Sequence, residues 1–368
     1  MKAEWWTTPV LLAISTAPLT AGRQPQPAAS PREASAIKSD EHVVLFPALA
    51  SRADGDAWSA EVHGWIFEPE QGSTWRNELI AALDIQEKAH GKQEQGVFDE
   101  RARAFIVDNE RDKSIALMLG GRRFVGDPST ANGHFRVSIR FTDDDARAAG
   151  VPGDGPVGLR VALAPGDDRR FEGVVYRVND TGLSVICDID DTVRVTGVGD
   201  RGTLIRTTFF REFQPVPEVR ERCAELAAAG AQFHYVSSSP WQLYEPLERF
   251  LRDAGFPAGS FHLKSFRLKD STFLSLFDDP EAHKAPVIGA LFQRWPRRRF
   301  VLIGDSGEKD PEIYGDLARR FPDQIQRIDV RDLKGEGRDS PRMKSAFREV
   351  PPEKWTLISV AEKAPEVP

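Results

Sequence analysis

Cysteine is nearly missing from this chain: 368 residues carry two, Cys187 and Cys223. No CxxC pair and no Cys/His cluster occurs, which excludes a structural zinc site. Cys187 lies inside an apolar run and reads as a buried thiol. A basic excess is missing as well. The 49 Lys and Arg stand against 56 Asp and Glu, a formal net charge of -7, so the molecule is no nucleic-acid-binding polycation. A local basic pocket for an anionic substrate remains compatible with that balance. No segment reaches the ~20 apolar residues of a membrane span.

The N-terminal stretch "MKAEWWTTPVLLAISTAPLTAG" comes nearest, but Pro9 and Pro18 interrupt it. Lys2, the apolar Val10 to Ile14 and the small residues through Ala21 give residues 1–22 the outline of a weak signal peptide, with Glu4 against it. Export to the periplasm or beyond is the expectation, and a cytoplasmic protein with a disordered tail is the alternative. Pro, Ala and Ser between Arg23 and Ser35 mark a linker, bounded at residue 40.

Hydrophobic residues at 40% and charged residues at 29% suit a soluble globular chain long enough for two domains. Residues 41–178 hold short alternating runs such as "AWSAEVHGWIFEP", "HFRVSIRFT" and "VGLRVALAP" between turn signals. These predict a mostly antiparallel, β-sandwich-like domain. "TWRNELIAALDIQEKAHG" is its one helical insertion, with Leu79, Ile80, Leu83 and Ile85 as a partial apolar face. That half shows no cluster of chemically active groups.

The rhythm changes near Gly182. "LSVIC", "AQFHYVSSS", "RRFVLIG" and "QIQRIDV" alternate with the helical patterns "VPEVRERCAELAAAG", "PWQLYEPLERFLRDAG" and "DPEIYGDLARRF". Strands alternating with helices predict right-handed crossovers and an α/β, Rossmann-like parallel sheet flanked by helices over 179–362. In such sheets ligands bind at the carboxyl ends of the strands.

Three polar clusters fall at those ends. "CDIDDTVRVT" supplies Asp188 and Asp190, two apart and so able to converge, while Asp191 points elsewhere. "SSSPW" supplies Ser237, Ser238 and Ser239; Ser239 followed by Pro240 reads as an N-cap and first turn, where free N–H groups favour an anion. "GDSGEKD" supplies Asp305 at a strand end and Asp310 at a helix start. An EF-hand is excluded, because Thr192 and Val193 stand where a further ligand and the glycine belong. Four carboxylates around one cavity repel each other unless a hard cation sits among them, and oxygen ligands suit Mg²⁺. Lys284 adds a cation for phosphate and carboxylate alike. The set suits phosphoryl transfer, which depends on positioning and charge neutralisation.

"DIDDT", "YVSSS", Lys284 and "GDSGEKD" resemble the four ordered motifs of haloacid dehalogenase-superfamily phosphatases. Over about Gly182 to Asp332 the chain is more similar still to the catalytic domain of the actin-patch phosphatidate phosphatases, and lipins share DxDxT. The resemblance implies a haloacid dehalogenase fold and position-by-position roles. Asp188 is then the nucleophile and a Mg²⁺ ligand, and Asp190 the acid/base with its main-chain carbonyl on the metal. Thr192 supports the loop, Ser237 holds the phosphoryl oxygens and Lys284 steadies the charge. Asp305 binds Mg²⁺, and Asp310 orients it. Ser238 stands where relatives commonly carry Asn, which leaves Ser237 as the better motif residue.

"HLKSFRLKD" adds Lys264, Arg267 and Lys269 as candidate substrate contacts. His234 and His262 read as core or surface residues. Arg206 and "TTFFREF" suggest a small cap. The expected function is a Mg²⁺-dependent phosphatidate phosphatase working through an aspartyl phosphate. The alternatives are a phosphomonoesterase on a soluble ester and a non-enzymatic phosphatidate- or phosphoinositide-binding module. The expected partners are phosphatidate or another phosphomonoester and a transient membrane surface, with no nucleic acid and no obligate protein partner.

Overall fold

Alternation of apolar and polar side chains builds the first of two sheets. A computed structural model describes residues 33–69, 91–151, 153–265 and 280–359. The signal-like segment 1–22, the linker up to residue 32 and the insertion carrying Leu79, Ile80, Leu83 and Ile85 lie outside the described residues. The chain runs through β1 (His42–Leu45), β2 (Ala48–Arg52), β3 (Ala57–Pro69), α1 (Gly91–Arg103), β4 (Val107–Asn109) and β5 (Ser114–Leu119). It continues through β6 (Arg122–Pro128), β7 (His134–Thr142), α2 (Asp143–Ala148), β8 (Val157–Val161) and β9 (Glu172–Arg177). In β7, Phe135, Val137, Ile139 and Phe141 face inward and Arg136, Ser138 and Arg140 outward, the two-residue period of a half-buried strand. β3 is the spine: β7 pairs along Ala57–Trp65, and β2, β1 and β4 pair with Trp58–Ala60, Gly64–Phe67 and Phe67–Pro69. β2 and β9 run parallel, so the sheet is mixed, although its other described pairings are antiparallel. Periodicity reports which face of a strand is buried and is blind to the direction of its neighbour.

The second sheet begins at β10 (Leu183–Cys187) and proceeds through α3 (Arg201–Phe209), α4 (Pro217–Ala228), β11 (Gln232–Pro240), α5 (Tyr244–Asp253) and β12 (Gly259–Lys264). It ends with α6 (Pro280–Arg294), β13 (Arg299–Asp305), α7 (Asp310–Arg320), β14 (Ile325–Asp332), α8 (Pro341–Ala346) and β15 (Trp355–Ser359). Every pairing in it is parallel, in the order β12-β11-β10-β13-β14-β15. The sheet is thus the parallel, helix-flanked layer that the alternating pattern predicts. Counted from β10, the order is that of a doubly wound sheet, whose chain reverses direction of travel between β10 and β13. A crevice opens at such a reversal because the loops leaving the two strands diverge to opposite faces.

Each face of this sheet has its own core. Val185 and Cys187 of β10 pack with Val219, Cys223, Leu247 and Leu251, whereas Ile186 packs on the far side with Ile288, Phe292, Tyr314 and Leu317. Fully burying one such side chain stabilises by roughly 1.5–3 kcal/mol. The first core also takes in Trp65 and Phe67 of the first sheet, Phe46 between β1 and β2, and Phe98 of α1. Cys187 and Cys223 are buried free thiols.

One expectation is corrected. Ser239 and Pro240 do not start a helix: β11 continues through Pro240, a 3₁₀ turn covers Trp241–Leu243, and α5 begins at Tyr244. Pro240 still pairs with Lys264 of β12, and the Ser239 hydroxyl has a partner elsewhere, so it caps nothing. The anion-binding argument from a helix start at Ser239 falls with it. Among the described residues no helix is long and apolar enough to cross a membrane.

Candidate active site

β10 stops at Cys187 because the next residues turn their polar groups into the crevice. Asp188 keeps a foot in the sheet, its N–H donating to Ile303 O at 2.9 Å. Asp191 adopts φ 56°, a left-handed conformation that Asp tolerates better than most residues. Its carboxylate accepts from the N–H groups of Thr196, Gly197 and Val198 at 2.7, 2.7 and 2.8 Å, closing the loop on itself. The third aspartate is therefore a loop clasp, which answers why three acids are crowded here. Only two face the site.

Asp188, Asp305 and Asp310 are buried, and one carboxylate oxygen from each lies within 4.8 Å of the others. Lys284 Nζ stands 2.7 Å from Asp188 Oδ1, 2.7 Å from Asp310 Oδ1 and 3.1 Å from Glu308 Oε2. The contact to Asp188 is an ion pair off the hydrogen-bonding direction, and neither Asp188 oxygen accepts a hydrogen bond among the described residues. Thr192 Oγ1 donates to Asp305 Oδ2 at 3.0 Å, and Gly307 N donates to Asp305 Oδ1 at 2.7 Å. Asp305 N in turn donates to Asp310 Oδ2 at 3.3 Å. Asp310 is the first residue of α7, but its carboxylate turns inward to Lys284 instead of capping the helix. That approach requires Gly304, where a Cβ would lie 2.3 Å from Asp310 Oδ2.

One lysine faces four carboxylates, and the electrostatics follow. Burial, then the neighbouring charges of Asp310 and Asp305, push the Asp188 carboxyl well above its ordinary range, with Lys284 only partly opposing. Burial and Asp310 push Asp305 up to about 8. Burial also raises Glu308. Lys284 is held charged: burial works against it, but Asp188, Asp310 and Glu308 together outweigh that. Buried oxygen donors with surplus negative charge, two of them without hydrogen-bond donors, fit a hard divalent cation.

The Asp190 carboxylate belongs to a different set of partners. Its Oδ1 accepts from Arg194 Nε and NH2 at 3.0 and 2.6 Å and from Thr196 Oγ1 at 3.2 Å. Its Oδ2 accepts from Ser237 and Ser239 Oγ at 2.7 and 2.8 Å. Burial alone would raise this carboxyl, but Arg194 and the two serine hydroxyls prevail and hold it below the ordinary carboxylate range. The structure thus brings Asp188, Thr192, Lys284, Asp305 and Asp310 together and joins Asp190 to Ser237 and Ser239. It leaves the Asp190 side chain out of the acidic triad. Ser238 Oγ is buried without a hydrogen-bond partner among the described residues.

Lys264 ends β12, and Arg267 and Lys269 lie outside the described residues. Arg206 sits in α3, facing Glu94 at 4.0 Å; the neighbouring Thr207 Oγ1 donates to Thr196 O at 2.7 Å and ties α3 to the Asp191 loop. His234 is a core residue, bonded to Ser260 and Ser184 beneath the sheet, and His262 meets the same Ser260.

Sequence reasoning passed over four functional neighbours. Glu308 stood inside "GDSGEKD", and Arg194 stood four residues after Asp190. Arg331 NH1 holds Asp191 O at 2.8 Å, and Arg342 NH1 and NH2 hold Ser306 O and Glu308 O, so two distant arginines anchor the two acidic loops. For the arginines no local signal existed, because their partners are 140 and 36 or 34 residues away along the chain.

A doubly wound α/β domain with an acidic, lysine-bridged cluster at its switch point defines the class. Residues 183–332 match the family model described as "Phosphatidate phosphatase APP1, catalytic domain". The chain is also 34% identical over 271 residues to phosphatidate phosphatase APP1 of Saccharomyces cerevisiae, covering 68% of this chain and 43% of that protein. It is 32% identical over 156 residues to an uncharacterized protein of Schizosaccharomyces pombe, covering 41% of this chain and 25% of that one. The chain therefore carries a catalytic domain of the phosphatidate phosphatase APP1 family. It spans less than half the length of these two relatives. Among solved structures, one titled "Structure of Pnkp1/Rnl/Hen1 complex" aligns at 16% identity with a TM-score of 0.28, over 39% of this chain and 44% of that one; the value is too low to carry an argument.

Proposed function

We propose that this chain is a Mg²⁺-dependent phosphatidate phosphatase of haloacid dehalogenase type, with 41–178 as a β-rich domain and 179–362 as the catalytic domain. The observation that carries the reading is Asp188: a buried carboxylate that accepts no hydrogen bond among the described residues, ion-paired through Oδ1 to Lys284 and beside two further acids.

Asp188, Asp305 and the main-chain carbonyl of Asp190 would hold the metal, with Asp310 orienting the set. Bound there, Mg²⁺ supplies positive charge against the phosphoryl oxygens and the acidic triad. The remaining work is that of the chain. Ser238, whose buried hydroxyl has no partner among the described residues, would donate to the phosphoryl group, and Ser237 and Ser239 would do so by turning their hydroxyls from Asp190 Oδ2. Lys284 neutralises charge on Asp188 and the transferring oxygens. One Asp188 oxygen bonds to phosphorus as the diacylglycerol oxygen departs; Asp190, ionised in the resting site, takes up the proton of the phosphomonoester monoanion and passes it to that oxygen. Asp190 then takes a proton from water as the water attacks the acyl phosphate, which returns Asp188 and releases phosphate.

The test is phosphate release by the full chain from phosphatidate in mixed micelles, with Mg²⁺ and with chelator, for wild type and Asp188→Asn. Release that needs both the metal and Asp188 supports the reading. Release from soluble esters only moves the substrate assignment to that class, and release from none overturns it.

A further inference from the structure

Asp190 has a partner that the reaction scheme above leaves unused. Arg194 is fully buried and places Nε and NH2 on the same carboxylate oxygen, Oδ1, at 3.0 and 2.6 Å. That grip leaves Oδ2 to face Ser237 and Ser239. The third nitrogen, NH1, has no hydrogen-bond partner among the described residues.

The guanidinium is itself held from behind. Its Cζ lies 4.2 Å from the centre of the Phe213 ring, and the Cζ of Arg101 lies 3.6 Å from the same ring. Backbone bonds fix the register of this stack: Val195 N donates to Gln214 O at 2.9 Å and Val216 N to Val193 O at 3.0 Å. Arg101 belongs to α1, far away in the chain, and its NH1 donates to Thr208 O and Arg211 O at 2.8 and 2.6 Å at the end of α3. Two buried cations on one ring repel each other, and an apolar filling would be cheaper in stability. A planar fork that grips one oxygen while stacking on an aromatic is what arginine provides and lysine does not.

We propose that Arg194 is the positioning residue of the Asp190 carboxylate and that the β-rich half of the chain sets it through Arg101 and Phe213. The proposal rests on the phosphatase reading, in which Asp190 protonates the leaving oxygen. It gives the β-rich half a part in turnover: through Arg101 it helps hold the Asp190 carboxylate in aim for its proton transfers.

The experiment reads alcohol release in single turnover, the step before hydrolysis of the aspartyl phosphate, for two substrates at saturating Mg²⁺ with the full chain. An alkyl phosphomonoester has a leaving oxygen that needs a proton, and p-nitrophenyl phosphate has one that leaves without it. Asp190→Asn calibrates the contrast. Arg194→Gln is expected to lower the single-turnover rate of alcohol release on the alkyl ester by about 100-fold and of p-nitrophenol release only severalfold, with KM changed less than about threefold, since a lost general acid costs ~10²–10⁴. Arg194→Lys is expected to recover part of the alkyl-ester rate. Arg101→Gln is expected to show the same bias at roughly a tenth of the effect. Equal losses on both substrates, a loss confined to KM, or no loss in Arg194 variants that melt like wild type would overturn the proposal. If the Arg194 variants do not fold, Arg101→Gln decides by the same criterion. Inert wild-type protein would sink the phosphatase reading as well, so the two failures are distinguishable.

Discussion

Thr192 Oγ1 donates to Asp305 Oδ2 at 3.0 Å, joining the loop that leaves β10 to the last residue of β13. The two strands lie side by side, so this bond spans the crevice where the doubly wound sheet reverses. Replacing the hydroxyl with a methyl leaves Asp305 with the single donor from Gly307. Thr192→Val is expected to cost about 1 kcal/mol and to raise the Mg²⁺ concentration for half-maximal activity severalfold. A metal titration of activity checks it; an unchanged midpoint would mean the bond does not hold Asp305 in place.

Removing the proposed nucleophile is expected to strengthen the metal-free fold. Asp188 carries a buried carboxyl that its acidic neighbours push well above the ordinary range. In Asp188→Asn, Lys284 keeps Asp310 and Glu308 as partners. The variant is expected to melt above wild type in chelator by an amount on the order of 1 kcal/mol while losing turnover by ~10³-fold or more. Thermal unfolding and phosphate release read the two effects separately.

The raised carboxyl of Asp305 sets a pH dependence with a definite sign. Its value moves from the ordinary 3.8 to about 8, so the folded protein binds that proton more tightly than the unfolded chain does. The resulting stability is fully present below 3.8 and is lost as the pH rises through about 8. A divalent cation takes the place of the proton, so its stabilising effect grows over the same interval. Melting curves at pH 6 and pH 9 with and without Mg²⁺ should show a larger metal-induced rise at the higher pH, several °C at roughly 100-fold excess over Kd. A rise that is larger at pH 6 would contradict the assignment.

Gly304 gives a steric test. A Cβ there would lie 2.3 Å from Asp310 Oδ2 and 2.7 Å from the Tyr314 ring. Gly304→Ala is expected to destabilise by roughly 1–3 kcal/mol, the range for overpacked sites, and to weaken metal dependence because Asp310 must move. Tyr314→Leu in the same background should relieve the clash with the ring but not the clash with the carboxylate.

Much of the catalytic half was legible because parallel-sheet topology turns local patterns into spatial rules. Apolar runs gave the strands, and their carboxyl ends gave Asp188, Asp305 and Asp310. Gly230, at φ 80°, follows the C-cap Ala229 of α4 in the left-handed conformation that glycine allows. What stayed hidden depended on partners remote in sequence. The Asp190 carboxylate turned to Arg194 and the serines because the strand had already ended at Cys187, and the two-residue period ends with it. Ser239 read as a helix cap since its bond to Asp190 spans 49 residues and leaves no local trace. The parallel β2–β9 pair was invisible for the same reason.

The central claim is that Asp188 takes the phosphoryl group covalently. Acid quenching of the chain during turnover of phosphorus-labelled phosphatidate with Mg²⁺, followed by proteolysis, is expected to leave label on the peptide containing Asp188. Hydroxylamine should remove that label, as it does for acyl phosphates. Turnover with no label on that peptide, or label that persists in Asp188→Asn, would contradict the account.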